Sequence, residues 1–167
     1  MIARALDAVS AQAARLSALL IVVMAVVMMA SLILQIIFRY LIGHALIWSE
    51  ELAMFLFTWV ALLAGSLGVR DGFHVRLTLF LDLLAKPVRP WAERLIVLLV
   101  GAFGAALAWS GYLYLDATLG QVSAAVRYPI EALHSAAPAA GVLIVLHALA
   151  RLANPAPPAG AEGTPGP

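Results

Sequence analysis

From Leu16 to Phe38 the chain carries no charged side chain. A run of that length is about what an α-helix needs to cross a hydrocarbon core roughly 30 Å thick. In lipid every backbone polar group must be satisfied internally, so the run can only be a spanning helix. Apolar runs whose charged residues lie near their ends follow at Trp48–Val69, Ala92–Leu115 and Ile130–Ala150. Composition agrees: 64% of the residues are hydrophobic and 11% charged, with a mean hydropathy of +1.00. A soluble domain is about a quarter charged. The expected fold is therefore an all-α integral membrane protein with four transmembrane helices, at about 16–38, 48–69, 92–115 and 130–150.

The basic N-terminal segment before the first run admits a second reading, a cleaved signal peptide. The run is much longer than the roughly 7–15 residues of a signal h-region, and no clear small-residue cleavage site follows. A retained helix is the expectation. Between spans two and three, Val75–Val88 is apolar but too short to cross. Leu77, Phe80, Leu81, Leu84 and Val88 recur at helical spacing against Thr78, Asp82, Lys86 and Arg89. That pattern predicts a short interfacial amphipathic helix at about 75–88, ended by Pro87 and Pro90. The alternative is an amphipathic linker off the membrane. Residues 1–153 are expected to form one membrane domain. Residues 154–167, rich in Pro, Gly and Ala, are expected to be a disordered tail.

With four spans both termini and the middle loop share one side. Arg4, Arg15, Arg70, Arg76, Lys86, Arg89, Arg94 and Arg151 fall there, against Arg39 and Arg127 opposite. Positive charge marks the cytoplasmic side, so both termini are expected in the cytoplasm.

The spans offer little chemistry. The first three hold no acid, base or histidine between their ends, whereas ion-coupled carriers place ionisable groups or broken helices near the midplane. Their polar side chains are Ser17, Ser31, Gln35, Thr58, Ser66 and Ser110. His134 and His147 fall at opposite ends of one span, and His44 and His74 on opposite sides of another, so no facing pair for a b-type haem results. No metal cluster and no catalytic Ser or carboxylate at His spacing is present. Zero cysteines exclude disulfides and Cys-ligated metals. A net charge of +1 with no basic run gives no nucleic-acid signal. Neither an enzyme nor a cofactor is expected.

What remains is a framed helix. Arg39 precedes span two, Trp48, Glu50 and Glu51 open it, and Arg70, His74 and Arg76 close it, as a helix macrodipole prefers. Two acids beside Trp48 exceed what orientation requires, and pairing of Glu50 and Glu51 with Arg39 is one expectation, simple helix capping the other. Ala61, Gly65 and Gly68 line one side of span two; Gly101, Gly104, Ala108 and Gly111 line one side of span three. Such stripes let helices approach closely. Internal packing is expected of them, docking of a partner being the alternative.

Phe38-Arg39, Trp48-Ser49-Glu50-Glu51-Leu52, Gly65 and Arg70-Asp71-Gly72-Phe73-His74-Val75-Arg76, with Tyr128-Pro129 and Pro138 to Gly141, resemble the small membrane subunit of tripartite ATP-independent periplasmic (TRAP) transporters, the DctQ-like family. The resemblance runs from about span one to span four. It implies a non-catalytic scaffold for a large DctM-like membrane subunit that carries the substrate and sodium sites. A periplasmic substrate-binding protein would deliver the solute, typically an organic acid. On this reading Arg39, Trp48, Glu50, Glu51, Arg70, His74 and Arg76 form a partner interface or structural motif. The alternatives are a small homo-oligomeric four-helix exporter using Glu50 or Glu51, and a membrane cytochrome subunit.

Overall fold

The computed structural model describes residues 2–71 and 88–154. Helix α1 runs Ile2–Ile37 and continues through one π-helical turn, Phe38–Ile42, to a left-handed Gly43. Helix α2 is Ile47–Asp71, α3 is Arg89–Ala117, and a four-residue α4, Glu131–His134, leads into α5, Ala136–Ala153. Four helical segments, Ala3–Ile42, Ile47–Asp71, Arg89–Ala117 and Glu131–Ala153, are long and apolar enough to cross a membrane. The expected all-α membrane fold is observed. Most of the proposed interfacial helix, together with His74 and Arg76, and nearly all of the tail lie outside the described residues.

The first helix starts earlier than hydropathy suggests. Arg4, Asp7 and Arg15 set its first turns apart from the uncharged run, yet the helix is continuous from Ile2. The reason is the spacing of its small residues. Ser10, Ala14, Ser17 and Ser31 are buried on one side, while Leu19, Val22, Val26, Met29, Ile33 and Ile36 stand exposed on the other. Large side chains outward and small ones inward is the inverse of a soluble helix, and suits lipid.

Helix α5 occupies the centre and touches α1, α2 and α3; α1 and α2 pair as neighbours, and α3 packs chiefly on α5. The small stripe of α3 is thus used internally, but against the fourth span, not the second. A Cβ placed on Gly104 would lie 2.5 Å from Ile144 Cγ2, one on Gly111 2.8 Å from Pro138 Cδ, and one on Gly141 2.5 Å from Ala108 N. The α2 stripe differs. Ala61 and Gly65 are exposed, and a Cβ on Gly65 would meet nothing within 4 Å.

The α4–α5 junction falls at Ser135, three residues before Pro138. Proline has no N–H to give the His134 carbonyl, and its ring crowds that position. The fourth span is therefore jointed near one end.

Candidate functional site

The two ends of α2 carry the polar residues, and the structure builds each differently. At the Glu50 end, the chain between α3 and α4 folds back on itself. Ser123 N donates to Tyr128 O (3.0 Å) and Ile130 N to Gln121 O (3.0 Å), around an isolated antiparallel bridge between Val122 and Pro129. Arg127 takes a left-handed φ of 61° at the turn, a conformation uncommon for a side chain with a Cβ.

Glu51 fixes this loop. Its carboxylate accepts backbone N–H groups from Ala124 (2.9 Å), Ala125 (3.1 Å) and Val126 (2.6 Å). Three successive amides converging on one anion form a nest. Phe55, one turn along α2, meets the Tyr128 ring edge-to-face at 5.2 Å. Burial, and then the negative charge of Glu51, push the Tyr128 hydroxyl above its ordinary value. Further on, Trp59 Nε1 donates to Ala132 O (3.0 Å). One face of α2 thus holds the loop and the start of the fourth span.

The loop is closed from the other side as well. Gly120 N donates to Glu131 Oε1 (2.6 Å), and Thr118 Oγ1 is 2.7 Å from His134 Nδ1. The His134 ring lies against Tyr114, tilted by 48° with centroids 4.4 Å apart. His134 thus serves both packing and hydrogen bonding within the subunit.

Glu50 points elsewhere. It is exposed, and Gln35 Nε2 of α1 donates to its Oε1 (2.7 Å). Ser49, between Trp48 and Glu50, is fully buried and donates to Leu46 O (2.6 Å). The expected pairing of these acids with Arg39 is not made: among the described residues no ion pair joins Arg39 to either, and Arg39 is exposed. The physical reason is that nearer donors serve both acids, loop amides for Glu51 and Gln35 for Glu50. Trp48 is 41% exposed beside them.

At the Arg70 end the contacts are between side chains of three helices. Arg70 donates to Ser10 Oγ of α1 and lies 3.5 Å from Asp7 Oδ1. Ser10 Oγ is 2.8 Å from Nδ1 of His147 on α5, a residue with no solvent exposure. Arg151 donates to Val69 O (3.0 Å), and Asn154 Nδ2 to Ala3 O (2.9 Å). Arg70 is thus placed inside the subunit; Asp7, Ser10 and His147 are its companions, and no motif in the sequence pointed to them. Their only sequence signal is the Ser10, Ala14, Ser17 spacing.

Both described ends of the fourth span use a histidine for hydrogen bonding within the bundle. Among the described residues no group of three or more His, Asp or Glu side chains is placed to hold a metal ion.

Four apolar helices tied by polar groups at their ends define a multi-pass membrane protein. The family model of tripartite ATP-independent periplasmic transporters, DctQ component, matches residues 28–157, and the chain belongs to that family. It is similar to the sialic acid TRAP transporter permease protein SiaT of Haemophilus influenzae (strain 86-028NP). There the identity is 39% over 69 residues, 41% of this chain and 11% of that protein. It is also similar to the C4-dicarboxylate TRAP transporter small permease protein DctQ of Rhodobacter capsulatus. That match is 36% over 78 residues, 47% of this chain and 30% of the relative. The matched stretches span about a tenth and under a third of these two relatives.

Proposed function

We propose that this chain is a small non-catalytic membrane subunit of a sodium-coupled importer of organic acids. It sits in a bacterial inner membrane with both termini in the cytoplasm, and a substrate-binding protein works on the opposite side. Its task is to brace a large permease subunit that carries the substrate and ion sites. The observation that carries this reading is the family match over residues 28–157, on a bundle whose polar contacts gather at the two ends of α2. A carrier acting alone needs a polar path near the midplane. Here Glu51 is held by loop amides and Glu50 by Gln35, both on the first turn of α2.

On this reading the motif divides. Glu51 and Arg70 act within the subunit, one on the loop and one on the helix junction. Arg39, Trp48 and Glu50 remain exposed at one end and form the surface offered to the large subunit. The SiaT relative supports a large partner: the stretch that matches this chain is a small part of a much longer permease.

The test is reconstitution in vesicles under a sodium gradient, with the chain alone and then with a large permease subunit and a binding protein. Uptake of an organic acid is expected only from the complete set. Uptake by the lone chain would overturn the scaffold reading.

A further inference from the structure

At the Arg70 end three helices meet on one hydroxyl. Ser10 of α1 is fully buried; Arg70 of α2 donates to its Oγ, and Nδ1 of His147 on α5 lies 2.8 Å away. A guanidinium only donates, so the serine oxygen accepts from Arg70. The serine hydrogen then has one acceptor among the described residues, His147 Nδ1. In the tautomer that accepts this hydrogen the ring proton sits on Nε2, which is buried and without a partner among the described residues. Closure of the junction thus uses a neutral imidazole in one tautomer.

We propose that this junction is a proton-sensitive lock: neutral His147 holds the first turns of α1 against α2 and α5, and protonation of its Nδ1 releases them. The proton comes from solvent and adds to the Nδ1 lone pair, turning an acceptor into a donor. Ser10 Oγ, with two lone pairs, must then hold two cationic donors at one buried oxygen, and its own hydrogen loses its acceptor. A second positive charge also arrives beside Arg70. The other charged groups around the ring are Asp7 on α1, Asp71 on α2 and Arg151 on α5. Among the described residues no carboxylate is bonded to the ring: Asp7 engages Arg70, and Arg151 is spent on the Val69 carbonyl. Among the described residues no other acceptor takes the serine hydrogen, and no carboxylate bonded to the ring offsets the second charge beside Arg70.

The chain has no cysteine, so reporters can be placed cleanly. Cysteines at the exposed Ala5 and Ala153 carry spin labels, and their separation is measured on the full chain in lipid nanodiscs. The buffer is taken from about pH 8 to about pH 5.5, across the ordinary histidine range. The wild type is expected to show one short separation at the high pH and a longer, broader one at the low. His147→Asn, whose Oδ1 accepts but does not titrate, is expected to stay short throughout. Ser10→Ala, which removes the shared hydroxyl, is expected to be broad at both. An unchanging wild type, or His147→Asn opening with acid as the wild type does, overturns the lock. If His147→Asn fails to fold, Ser10→Ala decides: a wild-type pH response in that variant overturns it too.

Discussion

Two stripes of small residues lie on this molecule, and they do opposite things. On α3, Gly104 and Gly111 are pressed so closely by α5 that any side chain would collide with Ile144 or Pro138. On α2, Gly65 has open space where a side chain would stand, and Ala61 beside it is exposed. Composition and spacing are alike in both. The difference shows that a small-residue stripe reports permission for close approach, and that the opposing surface decides whether it is used. In α5 the opposing surface is itself reduced, by Gly141 and Ala137, so two thin faces meet.

The comparison breaks most visibly at Gly141. Its Cβ would stand 2.5 Å from Ala108 N and 2.7 Å from Gly104 O, both backbone atoms that cannot turn aside. Overpacking a well-filled interior costs roughly 1–3 kcal/mol, and more where backbone must shift. Gly141→Leu is expected to lower the thermal midpoint of the purified subunit strongly or to prevent its recovery. A wild-type midpoint would mean that the seam is looser than its geometry.

The next effect is at the acids, where adjacent residues separate in the same sense. Glu51→Gln removes the anion from three loop amides, so backbone exchange at Ala124, Ala125 and Val126 is expected to rise, with the helices intact. Glu50→Gln is expected to leave that exchange unchanged and instead to reduce recovery of the proposed large subunit in co-purification. Equal behaviour of the two variants would dissolve the division between inner and outer roles.

Smallest is Gly65→Ala. With nothing within 4 Å of the added carbon, the isolated subunit is expected to keep its thermal midpoint or gain slightly, as alanine favours helix over glycine by about 1 kcal/mol. A marked loss in the isolated chain would show that this stripe, too, is already occupied.

Much of this architecture is legible in the residues. The long apolar runs predict the four spans because a bilayer leaves the backbone no alternative. The Trp48-Ser49-Glu50-Glu51 stretch was recognisable as more than a helix start. Three things were not legible, each for a definite reason. Arg4, Asp7 and Arg15 hide the continuity of α1, because hydropathy averages over a helix whose buried side is only one residue in three or four. The α3 stripe does not name its partner, since helix order in the bundle is set by tertiary fit. The nest that holds Glu51 consists of backbone amides from Ala124, Ala125 and Val126, which leave no side-chain signature.

Helices α1 and α2 are tied at both ends, by Ser10 with Arg70 and by Gln35 with Glu50. Ser10 and Gln35 stand 25 residues apart (35 − 10), a rise of about 37 Å, against a hydrocarbon thickness of roughly 30 Å. Along α2 the same ties, Glu50 and Arg70, stand 20 residues apart (70 − 50), about 30 Å, so they sit at or just beyond the two edges of the hydrocarbon, and the pair behaves as a gauge of bilayer thickness. In a thinner membrane neither helix can slide along the other to relieve hydrophobic mismatch; they must lean together. Lipid chain length then becomes a control on the tilt of whatever is fastened to this pair.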